Sequence, residues 1–92
     1  MEITAHFHGL LAEYVGTQSA IFQLNKAASV EDLLNEIGHQ FRGNFPDQLW
    51  DDEKKTFGKK VLIVGSNGIP KSEEDLLSEG EEIKFYIMVA GG

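Results

Sequence analysis

The sequence has no cysteine, only two prolines, a single tryptophan and few basic residues. Without cysteine there is no disulfide framework, no thiolate metal site and no thiol nucleophile. Nothing marks an oxidising compartment. No apolar run approaches the ~18 residues needed to span a bilayer. The chain opens on a strand pattern rather than on the charged, apolar and small-residue order of a secretory signal. Eight basic residues stand against fifteen acidic ones, a formal charge of −7. That balance argues against nucleic-acid binding, which needs a basic footprint, and against docking on anionic membranes. It favours a basic partner. Together these absences predict a soluble, cytoplasmic protein that binds neither nucleic acid nor membrane.

What is present is the composition of a folded domain. Apolar residues make up 41% and charged residues 25%, both near globular averages. Ninety-two residues make one domain, 1–92, able to bury only ~60–65% of its unfolded surface. Such a domain works through its surface or its termini, which counts against a deep enzyme cleft.

Ile3, Ala5 and Phe7 alternate with Thr4, His6 and His8, a half-buried strand. Leu10, Leu11, Tyr14 and Val15 read as one or two helical turns ended by Gly16. Ala20, Phe22 and Leu24 predict a second strand, antiparallel to the first. Ser29 predicts a helix cap, with Asp32 as a shorter stand-in for the usual Glu. Val30, Leu33, Leu34, Ile37 and Phe41 then share one helical face. Gly38 inside that helix should cost about 1 kcal/mol relative to Ala. Pro46 is expected to start a short helix carrying Leu49 and Trp50, with Trp50 over the core edge and Asp51 to Lys55 a solvated turn. Val61 to Val64 reads as a buried strand, Ser66-Asn67-Gly68 as a hairpin turn, and Ile69-Pro70 as at most a short edge strand. Glu73 to Gly80 is expected to hold one helical turn carrying Leu76 and Leu77. Ile83, Phe85, Ile87 and Val89 alternate with Lys84, Tyr86, Met88 and Ala90 as a long last strand.

The order is strand, strand, helix, strand, short strand, strand. A hairpin followed by a helix that crosses one sheet face is the ubiquitin-like β-grasp arrangement. The expected fold is α+β, with a mixed four- to five-stranded sheet, one main crossover helix and a flexible C-terminal Gly-Gly tail. In it the first and last strands lie parallel and adjacent at the sheet centre, a path the right-handed crossover preference allows. The apolar helix face then meets Phe7, Phe22, Leu24, Ile63, Phe85 and Ile87.

Residues 87–92 are the informative segment, where a core strand runs straight into Val89-Ala90-Gly91-Gly92. Two glycines lack Cβ atoms and can thread a channel where a side chain would clash, and they keep a tail mobile. A terminal carboxylate is a poor acyl donor until a partner that uses ATP converts it to an acyl-adenylate. The acyl carbon of Gly92 is then open to sulfide, thiol or amine attack. In such a reaction the chain would supply no catalytic base of its own and would be substrate and carrier.

This combination resembles the molybdopterin synthase small-subunit and thiamine sulfur-carrier family (MoaD/ThiS-like proteins), relatives of ubiquitin. Leu10-Leu11-Ala12-Glu13-Tyr14-Val15-Gly16 is similar to the family's short helix and Val-Gly segment. Val61-Leu62-Ile63-Val64-Gly65-Ser66-Asn67-Gly68 resembles its strand leading into an Asn-Gly turn, and Gly80-Glu81-Glu82-Ile83 its acidic turn before the last strand. Val89-Ala90-Gly91-Gly92 matches its tail. The resemblance spans nearly the whole chain and is weakest over Arg42 to Lys60. One departure stands out. The molybdopterin branch commonly has Pro-Pro ahead of the last four residues, where this chain has Ile87-Met88. Proline would end the ladder; here the strand can continue pairing.

The resemblance implies a sulfur carrier that is not an enzyme by itself. A ubiquitin-activating-type adenylyltransferase, using ATP and magnesium, would adenylate Gly92, and a persulfide donor would convert it to a thiocarboxylate. The tail would then enter a molybdopterin synthase large subunit and give sulfur to a pterin precursor. Gly92 is the bond-forming residue and Gly91 the clearance residue. The chain itself would bind no cofactor and no metal. Relatives of the same fold also act as protein modifiers, joining the same carboxyl group to lysines of target proteins. A third reading is a non-covalent interaction module.

His6, His8, Lys84, Tyr86 and Met88 alternate away from the core. If the first and last strands are neighbours, these residues form one patch, with Val89 and Ala90 leading from it. Tyr and Met are favoured at interface centres, so this patch is the expected partner-docking surface. A metal site at His6 and His8, even with His39, has too few ligands. Gly65-Ser66-Asn67-Gly68 lacks the Lys-Ser/Thr of a phosphate loop, and Asp51-Asp52-Glu53 lacks calcium-loop spacing.

Overall fold

The structure is a computed structural model in which residues 1–88 are described, the side chain of Arg42 apart. Ile3, Ala5 and Phe7 point inward and Thr4 and His6 outward, giving the strand β1, Glu2–Phe7. The helix α1, Leu10–Val15, turns Leu11 and Val15 to the core and closes on Gly16 at φ 90°, where a Cβ would be strained. Strand β2, Ser19–Gln23, pairs antiparallel to β1, with Ile3 opposite Phe22 and Ala5 opposite Ala20.

The helix α2, Val30–Phe41, buries Val30, Leu33, Leu34 and Ile37 completely and exposes Glu31, Asp32, Asn35 and Glu36. Its cap is reciprocal. The Asp32 N–H donates to Ser29 Oγ at 3.3 Å, and the Ser29 N–H donates to Asp32 Oδ2 at 2.8 Å. The next two free N–H groups of the first turn find backbone partners: Val30 donates to the Asp75 carbonyl at 2.9 Å and Glu31 to the Glu73 carbonyl at 3.0 Å. This corrects the helical turn expected over Glu73 to Gly80. With these carbonyls turned to the start of α2 and the Leu77 N–H donating to the Ala28 carbonyl at 2.9 Å, residues 73–77 run as a turn and a single bridge, Leu76 to Ser29. Leu77 is buried and Leu76 is exposed.

The segment 42–60 also departs from expectation. A 3-10 turn, Arg42–Asn44, leads to Pro46, whose carbonyl accepts from Leu49 and Trp50 at 2.9 and 3.1 Å. That is one turn and no helix, because Trp50 at once enters a strand. Strand β3, Trp50–Asp51, pairs with β4, Thr56–Phe57, around the solvated turn. Phe45, Trp50 and Phe57 pack with ring centroids 5.0–5.6 Å apart, Phe45 stacked on Trp50 and Phe57 edge-on to both. The Trp50 indole lies against Gly38, where an added Cβ would stand 2.7 Å from Cζ2. The helix glycine is thus the seat of the tryptophan.

Strand β5, Val61–Val64, and strand β6, Glu82–Ile87, complete the main sheet in the order β2-β1-β6-β5. Strands β1 and β6 are parallel, and β5 is antiparallel to β6. The sheet has four strands; Ile69-Pro70 contributes only a bridge between Val64 and Pro70. Helix α2 covers one face, and its apolar side packs on Ile3, Phe7, Ile83 and Phe85 in one core. Phe85 is fully buried, 5.6 Å from Phe7 and 5.4 Å from Phe57 by ring centroid. This is the ubiquitin-like β-grasp arrangement. Among the described residues, no helix is long and apolar enough to cross a membrane.

Candidate functional site

The base of the tail is set by the ladder of β6. Ile87 lies opposite Val61, and one step further the Met88 N–H donates to the Lys60 carbonyl at 2.6 Å. Pairing therefore continues through Met88, as expected where no proline removes the donor. Val89, Ala90, Gly91 and Gly92 lie outside the described residues.

The face of the sheet turned away from α2 takes its composition from the register. His6 is the Cα partner of Lys84, and Thr4 of Glu82. Leu62 lies opposite Tyr86, and Ile21 opposite Thr4. His8 stacks on Tyr86, with centroids 4.3 Å apart and planes 8° from parallel. His6 Nε2 stands 2.6 Å from Glu82 Oε1. An ionised carboxylate only accepts, so Nε2 carries the proton in that bond. Both partners are partly exposed, which limits the pair to about 0–1 kcal/mol. His6, His8, Lys84 and Tyr86 are thus brought together on one face. Met88 lies at the strand end, in a groove it shares with Leu10, Tyr14, Leu49 and Lys60. His39 is exposed on α2, across the sheet from the other two histidines. Among the described residues, no three or more His, Asp or Glu side chains are placed to hold a metal ion.

Ile21, Leu62 and Glu82 also belong to this face, and sequence reasoning did not single them out. The signal for Ile21 was present, since it is a β-branched residue at an outward position of β2 and is 61% exposed. Leu62 sits inside an all-apolar run, where alternation gives no face.

Neither a family model nor a curated protein matches the sequence. Solved structures do match the fold. SAMP1 from Haloferax volcanii shares 17% identity at a TM-score of 0.84, with all of both chains covered. A putative molybdopterin converting factor, subunit 1, from Pyrococcus furiosus shares 19% identity at a TM-score of 0.74, covering 97% of this chain and 99% of that one. A chain of the Amycolatopsis orientalis BexX/CysO complex shares 18% identity at 0.69, covering 98% and 99%. At such identities the likeness is one of fold, and it is end to end.

Proposed function

We propose that the chain is a sulfur carrier that acts through Gly92. The observation that carries this reading is the path of β6. A central strand of a ubiquitin-like sheet stays paired through Met88 and leads, within the next four residues, to Gly91-Gly92. The likeness to the molybdopterin converting factor subunit supports it. The reading requires a free carboxylate on Gly92. That carboxylate attacks the α-phosphorus of ATP in a magnesium-dependent adenylyltransferase, and pyrophosphate leaves. The outer sulfur of a persulfide donor attacks the acyl carbon and AMP departs with the bonding electrons, leaving an acyl disulfide. A second thiol of the donor then cleaves the S–S bond, forming a disulfide within the donor and releasing the thiocarboxylate. In a molybdopterin synthase large subunit, the thiocarboxylate sulfur passes to a pterin precursor. Water restores the carboxylate.

In this reading the chain contributes positioning rather than acid–base catalysis. Gly91 and Gly92 clear a narrow channel, Val89 and Ala90 span its mouth, and the face bearing His6, His8, Lys84 and Tyr86 docks protein partners. ATP and magnesium belong to the activating partner, and the reading assigns this chain no cofactor of its own. Its expected place is the cytoplasm. Deleting Gly92 should leave thermal unfolding unchanged and abolish sulfur transfer to the large subunit; full transfer by the shortened chain contradicts the reading.

A second reading has its own support in the likeness to SAMP1, a name that stands for small archaeal modifier protein 1. A protein modifier uses the same adenylate, with a lysine amine as the attacking group. It predicts ATP-dependent adducts between Gly92 and lysines of target proteins.

A further inference from the structure

The groove at the end of β6 carries an inference that rests on the carrier reading and deepens it. Gly92 lies four chain steps beyond Met88, with three residues between them. At ~3.3–3.6 Å per residue, Gly92 stays within about 14 Å of Met88 whatever path it takes. Met88 is itself tied to Lys60 by a 2.6 Å hydrogen bond, so the reach grows only if the ladder opens. An enzyme that acts on the Gly92 carboxyl must therefore bring the mouth of its channel against the residues around Met88.

Three of the six large apolar side chains exposed among the described residues meet there. Leu10, Tyr14 and Met88 are 55%, 36% and 46% exposed. With Leu49 and Lys60 they line one groove of about 280 Å³. The chain has fifteen acidic residues, and none of them lines this groove. Among the described residues, Lys60 forms no ion pair. An apolar floor beside an uncompensated ammonium fits an apolar segment that carries a carboxylate.

The geometry points to a docking site: we infer that this groove seats the rim of the adenylating enzyme's tail channel, an apolar side chain entering between Leu10, Tyr14 and Met88 and a carboxylate meeting Lys60. The site lies beyond the sheet patch, and the short tail keeps it within reach of any enzyme that holds Gly92.

The test is ATP–pyrophosphate exchange by the purified ubiquitin-activating-type adenylyltransferase of the same genome, with magnesium, the intact chain being the varied substrate. Leu10→Asp and Lys60→Glu change exposed side chains and are checked for folding by thermal unfolding. Each should raise KM for the chain by about tenfold, the scale of losing one interface anchor, with kcat within about twofold. Ile69→Asp, an exposed apolar residue at the far end of β5, should leave KM within about twofold. Exchange with unaltered KM for both groove variants overturns the inference and leaves the carrier reading standing. No exchange with the wild-type chain overturns the carrier reading and the inference with it.

Discussion

The middle and the end of β6 do opposite work. Ile83 and Phe85 are fully buried, flanked by β1 on one side and β5 on the other. Only a few residues on, Ile87 is partly exposed and Met88 nearly half exposed, held by a last ladder bond to Lys60. Burial of a large apolar side chain is the main source of folding free energy, so the middle of the strand holds the domain together. The end contributes little stability and, in the carrier reading, gives up little when it enters a partner. One strand thus anchors the fold and, in the carrier reading, delivers the tail, so substitutions in its two parts should separate stability from activity.

The largest expected effect is in the middle. Phe85→Ala should cost about 3–5 kcal/mol, most of the margin of a domain this size, read as a large drop in the urea midpoint. A loss confined to activity would break the comparison. At the other end, Gly91→Leu should lower thiocarboxylate formation by about a hundredfold, the scale of a misplaced reacting group, with unfolding unchanged. A third test concerns the aromatic cap over the middle. Gly38→Ala gains helix propensity but sets a methyl 2.7 Å from the Trp50 ring. It should destabilise by about 1–3 kcal/mol through overpacking, and combining it with Trp50→Leu should relieve most of that cost. The smallest effect belongs to the end of the strand: Met88→Pro removes one ladder donor and should cost about 1 kcal/mol in denaturant unfolding.

Much of this was legible in the sequence. Alternation at Ile3, Ala5 and Phe7 and at Ile83 and Phe85 fixes two strands. The Ser29 and Asp32 spacing fixes the start of α2, because such signals act over a few residues. Their parallel pairing followed from element order. The failures were tertiary. Leu76-Leu77 looked helical, but the Glu73 and Asp75 carbonyls serve the first turn of α2. Gly38 looked like a defect until Trp50 was placed on it. Strands of two residues, β3 and β4, are too short for any period to reveal. At the site, the sheet patch was legible from alternation, whereas the groove was not. Its lining comes from α1, the turn after Pro46, the approach to β5 and the end of β6, segments that only the fold brings together.

The central claim is that Gly92 is an acyl donor to sulfur. It is tested most directly by intact mass after incubation with the adenylating enzyme, ATP, magnesium and a sulfide donor. The carrier account predicts a mass gain equal to one sulfur replacing one oxygen, absent when Gly92 is deleted. An unchanged mass, with an enzyme shown to be active on another carrier, would contradict it.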